Sequence, residues 1–249
     1  MFRKILFTGT VMVCGMVIIT GCGDSGTTPV NTYGTVLLTE GFESGITSPR
    51  WEGKYMVSND EQYTQMSITT ATAHTGTHSI TADSNLRALY HQELDRVESG
   101  IVGVEFYMKA QTKSKANFGV EMGQNPGSSG AVSPAFGIFF DPSDSIKCTA
   151  FNSFPQLDSQ KLVAPILADH WYKCKVEVNM TTSIVSYYID DALMHTAKCV
   201  EPMPPEGSGI NLHGIDRLLV VRGKFGKGYV EASDGPKPYY LDDITYYKK

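Results

Sequence analysis

Charge is scarce in this sequence of 249 residues: Asp, Glu, Lys and Arg together make up 19%. Aromatic residues reach 10%, and that pairing excludes a disordered, self-solvating tail. Basic residues are the minority charge, 21 against 26 acids, so no electrostatic footprint for nucleic acid is present. Cysteine is sparse at 5, and the length is ample for a real core, so no disulfide framework is required. No CxxC and no His/Cys pairing with zinc spacing occurs. Ser/His/Asp spacings of a hydrolase are missing too, and Gly223-Lys-Phe-Gly-Lys-Gly228 lacks the terminal Ser/Thr and following helix of a phosphate loop. The one long apolar run, Ile5 to Thr20, is too short to span a bilayer comfortably and suits the core of a signal peptide.

That run follows Arg3 and Lys4 and ends in Ile19-Thr20-Gly21-Cys22. An aliphatic residue, two small residues and Cys resemble the bacterial lipobox. The resemblance implies cleavage before Cys22 and acylation of both its thiol and its new amine. Residues 1–21 are then a lipoprotein signal, and several acyl chains at about 0.8 kcal/mol per buried CH₂ anchor the protein without a spanning helix. Losing Arg3 and Lys4 moves the formal charge from −5 to −7. Gly23, not Asp, follows Cys22, which in the enteric sorting rule resembles an outer-membrane lipoprotein of the cell envelope, facing the periplasm or the outside. Residues 22–33, lipidated Cys and a Gly/Thr/Pro tether, hold a domain of residues 34–249 off the lipid. Cys148, Cys174 and Cys199 remain. Alternation points Cys148 and Cys174 to the apolar side as buried thiols, with a disulfide between two of the three as the alternative.

From residue 34 onward the period is two. Val102, Val104, Phe106, Met108 and Ala110 alternate with Gly103, Glu105, Tyr107 and Lys109. Residues 136–140 and 145–151 flank Asp141-Pro142-Ser143-Asp144 as a hairpin, and 171–178 and 184–190 flank a second turn. Further strands are expected at 36–38, 79–82, 218–221 and 239–246. No stretch of ten or more residues holds a helical period. The expectation is an all-β protein, a two-sheet antiparallel β-sandwich. Three long loops, 123–134, 201–214 and 223–238, are candidate binding loops or simple connections.

Trp171-Tyr-Lys-Cys-Lys-Val-Glu-Val-Asn179 and Val185-Ser-Tyr-Tyr-Ile-Asp-Asp-Ala-Leu193 resemble the central hairpin of concanavalin A-like (laminin G-like) jelly rolls. Glu40-Gly-Phe-Glu43-Ser-Gly45 with Trp51 resembles their opening strand, His74-Thr-Gly-Thr-His-Ser79 their Gly-x-x-Ser turn, and Tyr240-Leu-Asp-Asp-Ile244 the closing strand. A galactose-binding-like jelly roll shares several of these features and is the alternative fold. The resemblance implies structural Ca²⁺ between first and last strands, held by Glu43, Asp242 and Asp243 with carbonyls near Thr75. Solvent-facing or turn-bonding acids are the alternative reading.

Catalysis has two candidates. Glu93-Leu-Asp95-Arg-Val-Glu98 resembles the E-x-D-x-x-E signature of retaining glucanases of this fold, which need two carboxyls about 5–5.5 Å apart on one face. Glu93 and Asp95 share a strand face, whereas Glu98 needs a bulge to join them and precedes a Ser99-Gly100 turn. Polysaccharide lyases of this fold use Tyr, His and Arg, and Arg87, Tyr90 and His91 lie close in sequence, as do Tyr187 and Tyr188. For sugar binding, alternation predicts an outward row of Glu105, Tyr107, Lys173, Lys175, Glu177, Ser186 and Tyr188. Tyr107 and Tyr188 would form the platform, with Trp51 and Tyr55 adding to it; Trp51 and Trp171 read equally as core. The sequence thus leads to an envelope lipoprotein that binds polysaccharide or glycan without catalysis. The alternatives are a glycoside hydrolase or polysaccharide lyase, and a structural or adhesive protein that binds protein. The lipid anchor is the only membrane contact expected.

Overall fold

Alternating apolar residues need a second apolar face to cover them, and two sheets do this for each other. In the computed structural model the residues described are 33–46, 51–52, 56–57, 61–62, 64–82, 87–91, 94–112, 117–124, 135–153, 156–198, 214–223 and 238–249. Among them there are strands and turns and no α-helix. In chain order the strands begin β1 (Thr35–Glu40), β2 (Trp51–Glu52), β3 (Met56–Val57), β4 (Glu61–Gln62), β5 (Thr64–Gln65), β6 (Ser67–Thr69), β7 (Ser79–Ala82), β8 (Arg87–His91) and β9 (Ile101–Ala110). They continue as β10 (Phe118–Gly123), β11 (Ala135–Asp141), β12 (Ser145–Ser153), β13 (Gln156–Pro165), β14 (Trp171–Asn179), β15 (Ile184–Ile189), β16 (Ala192–Lys198), β17 (Arg217–Arg222) and β18 (Tyr239–Lys248).

Two large sheets result. The first runs β16-β15-β14-β9-β18-β7-β6, with β1 also on β18. The second runs β13-β12-β11-β10-β17-β8-β2, with β5 joining β8 in parallel. Every other pairing is antiparallel. Both expected hairpins form, β11–β12 around 141–144 and β14–β15 around 179–184. The order β14-β9-β18 places strands distant in sequence side by side, so the closing strand β18 sits in the middle of the first sheet.

Between the sheets Val104, Phe106, Val176 and Tyr187 of the first meet Phe118, Val120, Ile138 and Phe140 of the second, all buried. Tyr187 donates its hydroxyl to the Thr149 carbonyl at 2.6 Å, and Tyr246 donates to the Ile215 carbonyl at 2.9 Å, so two buried phenols bond across the core. Cys148 and Cys174 are buried free thiols in this core, as alternation predicts. Burial pushes the Cys148 thiol up to about 12 and Cys174 well above its usual value, which keeps both inert. Cys22 and Cys199 lie outside the described residues.

Candidate functional site

The opening and closing motifs meet at one turn. β1 ends at Glu40, Phe42 takes a positive φ of 58°, and Glu43 then reaches the 74–78 segment. Glu43 Oε1 accepts from the backbone N–H of Thr77 and of His78, each at 2.9 Å. Its Oε2 accepts from the Thr77 hydroxyl at 2.8 Å and lies 3.1 Å from His78 Nδ1. These bonds, the His78 N–H foremost, hold the Glu43 carboxyl down at about 2. Gly76 has φ +64° and a Cβ there would strike that carboxylate, so glycine is required by two independent constraints.

From the other side, the β18–β9 register shifts between Asp242 and Thr245, and Asp243 sits at φ 49°. This bulge aims two acids at the same turn. Asp242 Oδ2 accepts from the His74 N–H at 2.8 Å, and its Oδ1 from the Asp243 N–H at 2.8 Å. Asp243 Oδ2 lies 2.7 Å from His74 Nδ1, and its Oδ1 accepts from the Thr75 hydroxyl at 2.7 Å. Burial, reinforced by Asp243, pushes Asp242 up to about 6 against the N–H bonds that lower it. The three acids expected to hold calcium are therefore brought to one turn. That turn offers them N–H, O–H and imidazole groups, and an N–H cannot ligate a cation. The donor set does not fit the calcium site that the resemblance implies. Among the described residues no group of three or more His, Cys, Asp and Glu is arranged to hold a metal.

The outer face of the first sheet carries the expected outward row. β14 alternates buried and half-buried along its whole length, and Lys173, Lys175 and Glu177 face out. Glu105 is deeper than alternation suggests: it accepts from the Tyr33 hydroxyl at 2.6 Å and lies 3.5 Å from Lys173 Nζ. Lys173 also donates to Asp191 at 2.8 Å, and these carboxylates raise its pKa although burial opposes them. Tyr107 and Tyr188 do share this face, but Lys173 and Lys175 stand between them. Each ring is capped. His74 stacks on Tyr107 with centroids 3.5 Å apart at 14°, and Lys175 Nζ lies 4.3 Å above the Tyr188 ring. Trp171, also half-buried, meets the His74 ring edge-on at 5.9 Å, with Lys109 Nζ 5.3 Å from its centre. Trp171 and the His74–Tyr107 stack thus form one half-buried aromatic patch on this face, an arrangement that reading strand alternation could not supply because His74 comes from a turn.

The central strands β10, β11 and β17 of the second sheet are buried on their outer face as well. Gly119, Glu121 and Gly123 of β10 face out between Gly137 of β11 and Leu219 of β17. Phe139 covers Gly119 and Gly137, whose Cβ positions its ring would occupy. Glu121 is 3% exposed, and no hydrogen bond or ion pair to a described residue holds its carboxyl. Burial alone pushes it up to about 8. Sequence reasoning missed Glu121; its signal was a lone acid on a glycine strand whose other face, Phe118, Val120 and Met122, is wholly apolar. On the same face Asp141 is bound to Lys147 and to Ser143, and these partners hold it below the usual range although burial opposes them.

The other sequence candidates fall elsewhere. Asp95 and Glu98 are exposed in the irregular segment between β8 and β9, and Glu98 pairs with Arg96 at 3.1 Å. Neither stands on a strand face, since only Val97 makes a bridge, to Ile215. Glu93 and Tyr55 lie outside the described residues, as do 125–134, 199–213 and 224–237 of the long loops. Trp51 presents no ring face to a ligand, because it is 1% exposed, donates Nε1–H to Glu40 at 3.1 Å and packs on Phe42 and His91. Of the lyase candidates, His91 is buried against Trp51, and Tyr187 is buried with its hydroxyl on Thr149. The side chains of Arg87 and Tyr90 are outside the description.

No family model matches the chain, and no curated protein matches it. Solved structures do. A Bacillus licheniformis β-glucanase aligns with TM-score 0.58 at 16% identity, over 88% of this chain and 100% of that one. A laminarinase from Flavobacterium sp. UMI-01 aligns with TM-score 0.60 at 14% identity, over 86% and 100%. A sialidase aligns with TM-score 0.55 at 8% identity; the chain covers 87% of itself but spans only 19% of that protein. At these identities the likeness is one of fold: the chain is a two-sheet jelly roll of the concanavalin A-like kind.

Proposed function

We propose that this chain is a lipid-anchored protein of the bacterial cell envelope whose sandwich binds polysaccharide without cleaving it. The observation that carries the reading is the half-exposed aromatic row on the first sheet, Trp171 beside the His74–Tyr107 stack, with Lys109, Lys173 and Asp191 next to it. Sugars stack apolar ring faces on aromatics while polar neighbours take their hydroxyls. The likeness to a β-glucanase and a laminarinase supports a glycan as partner. The tract from Arg3 to Cys22 supports the anchor.

Among the described residues no second carboxyl stands beside Glu121, and this supports binding over hydrolysis at that position. Most glycoside hydrolases, retaining and inverting, use two carboxyls no more than about 9.5 Å apart. Glu121 is paired across to Gly137, and Asp141 lies four residues further along that strand, roughly 13 Å away at about 3.3 Å per residue. Two and five residues after Glu121 stand Gly123 and Pro126. One observation favours the hydrolase reading: a buried carboxyl at about 8 is protonated near neutrality, as a general acid must be. A glycan array probed with the full chain, followed by a reducing-end assay on each glycan bound, separates them. Binding with no new reducing ends supports the proposal; reducing ends that vanish in Glu121→Gln support the hydrolase. A blank array beside a single captured protein partner supports an adhesive role instead.

A further inference from the structure

We propose that this sandwich ties its opening strand to its closing strand with a metal-free, hydrogen-bonded turn, and that its stability is independent of calcium. The inference stands apart from the question of what the domain binds. It rests on which atoms face the three acids. Backbone N–H groups of His74, Thr77 and His78 point at Asp242 and Glu43, where a calcium site of the expected kind needs carbonyl oxygens. The hydroxyls of Thr75 and Thr77 take one oxygen each of Asp243 and Glu43. His74 is fixed from its other face by stacking on Tyr107, so its imidazole remains beside Asp243. Gly76 lets the turn backbone approach the Glu43 carboxylate so closely that a methyl group would collide with it, which leaves no gap for an ion between the two. Three acids are thereby satisfied by protein donors, and the turn spans from the segment after β1 to the bulge of β18.

The same residues predict opposite results for the two kinds of staple. Threonines 75 and 77 donate in the hydrogen-bonded staple, whereas the calcium site that the resemblance implies takes carboxylates and backbone carbonyls near Thr75 and no threonine hydroxyl. The full chain, treated with chelator and desalted, is unfolded thermally with EDTA and with millimolar CaCl₂. The expected midpoints agree to within about 1 °C, and metal analysis of the untreated protein finds far less than one calcium per chain. Thr75→Val and Thr77→Val each lower the midpoint by about 2–4 °C in both buffers, and Thr→Ser at either position restores it. A rise of several degrees on adding CaCl₂, or stoichiometric calcium in the untreated protein, overturns the proposal. So does an unchanged midpoint in both valine variants, whatever calcium does.

Discussion

His74 lies on Tyr107, ring on ring, with centroids 3.5 Å apart and planes inclined by 14°. The relationship joins two levels of the molecule. Tyr107 is an outward residue of the central strand β9, and His74 belongs to the turn that gathers Asp242 and Asp243. The turn is thus laid flat on the sheet, and its imidazole becomes part of the sheet's surface next to Trp171.

If this surface receives sugar rings, its aromatic members should matter unequally. Trp171→Ala is expected to weaken polysaccharide binding by about 3- to 10-fold, the equivalent of one lost stacking contact. Tyr188→Ala, whose ring is capped by Lys175, should change it by less than about 2-fold. Affinity electrophoresis of the two variants in the same gel checks the ranking. Equal loss in both would place the ligand nearer β15.

Glu121 predicts a pH effect of a particular sign. Burial raises its folded pKa to about 8, above the ordinary value of 4.5 that it has when unfolded. Between those values the folded chain keeps a proton that the unfolded chain has released. Its contribution to stability is therefore present at low pH and is lost as pH rises from about 4.5 to about 8. Glu121→Gln should flatten the fall, and above pH 8 the variant should be the more stable by roughly 3–5 kcal/mol. Lys147, Arg217 and Asp141 share the face, and all three persist in the variant. Urea unfolding at several pH values, wild type against variant, measures the difference directly. Parallel curves for the two proteins would mean the carboxyl titrates normally.

Gly103 is needed for packing, not for a turn. The ring of Tyr247 lies across it, and the Tyr247 hydroxyl donates to Glu177 at 2.7 Å. A Cβ at this position would overlap the ring. Gly103→Ala should cost about 1–3 kcal/mol, a midpoint shift of about 2–12 °C for a domain of this size, with no new exposure of the core. Combining it with Tyr247→Leu should recover part of the loss, because the flat ring is then gone. Calorimetry of the single and double variants checks this.

How legible the fold was depends on the strand. β9, β14 and β18 are legible because apolar residues recur at every second position along the core face, and their expected bounds lie within two residues of those observed, although only β14 leaves its outer face half-exposed along its whole length. β10 escaped notice although Phe118, Val120 and Met122 alternate, because its other positions are Gly119, Glu121 and Gly123, which read as a loop. β13 and β16 carry little apolar pattern for a related reason: they are edge strands, one of each sheet on the same side of the sandwich, and their polar exposed residues interrupt the alternation. The chemistry was less legible. Alternation placed Tyr107 and Tyr188 on one face, but it carries no information on what covers a ring, and the covers come from a turn and from a neighbouring strand. The three acids near the closing strand were correctly grouped by their motifs. Whether a turn shows them its carbonyls or its N–H groups depends on backbone angles, which residue types alone do not specify.

The central claim is binding without cleavage, and one experiment reads both halves. The full chain is incubated with a panel of neutral polysaccharides that includes a β-1,3(4)-glucan, and each sample is divided. One portion is tested for retardation in a gel containing the polysaccharide, the other for new reducing ends over a day. The account predicts retardation by at least one polysaccharide, weakened in Trp171→Ala, with reducing ends no higher than in a protein-free blank. New reducing ends that disappear in Glu121→Gln, or no retardation by any member of the panel, would contradict it.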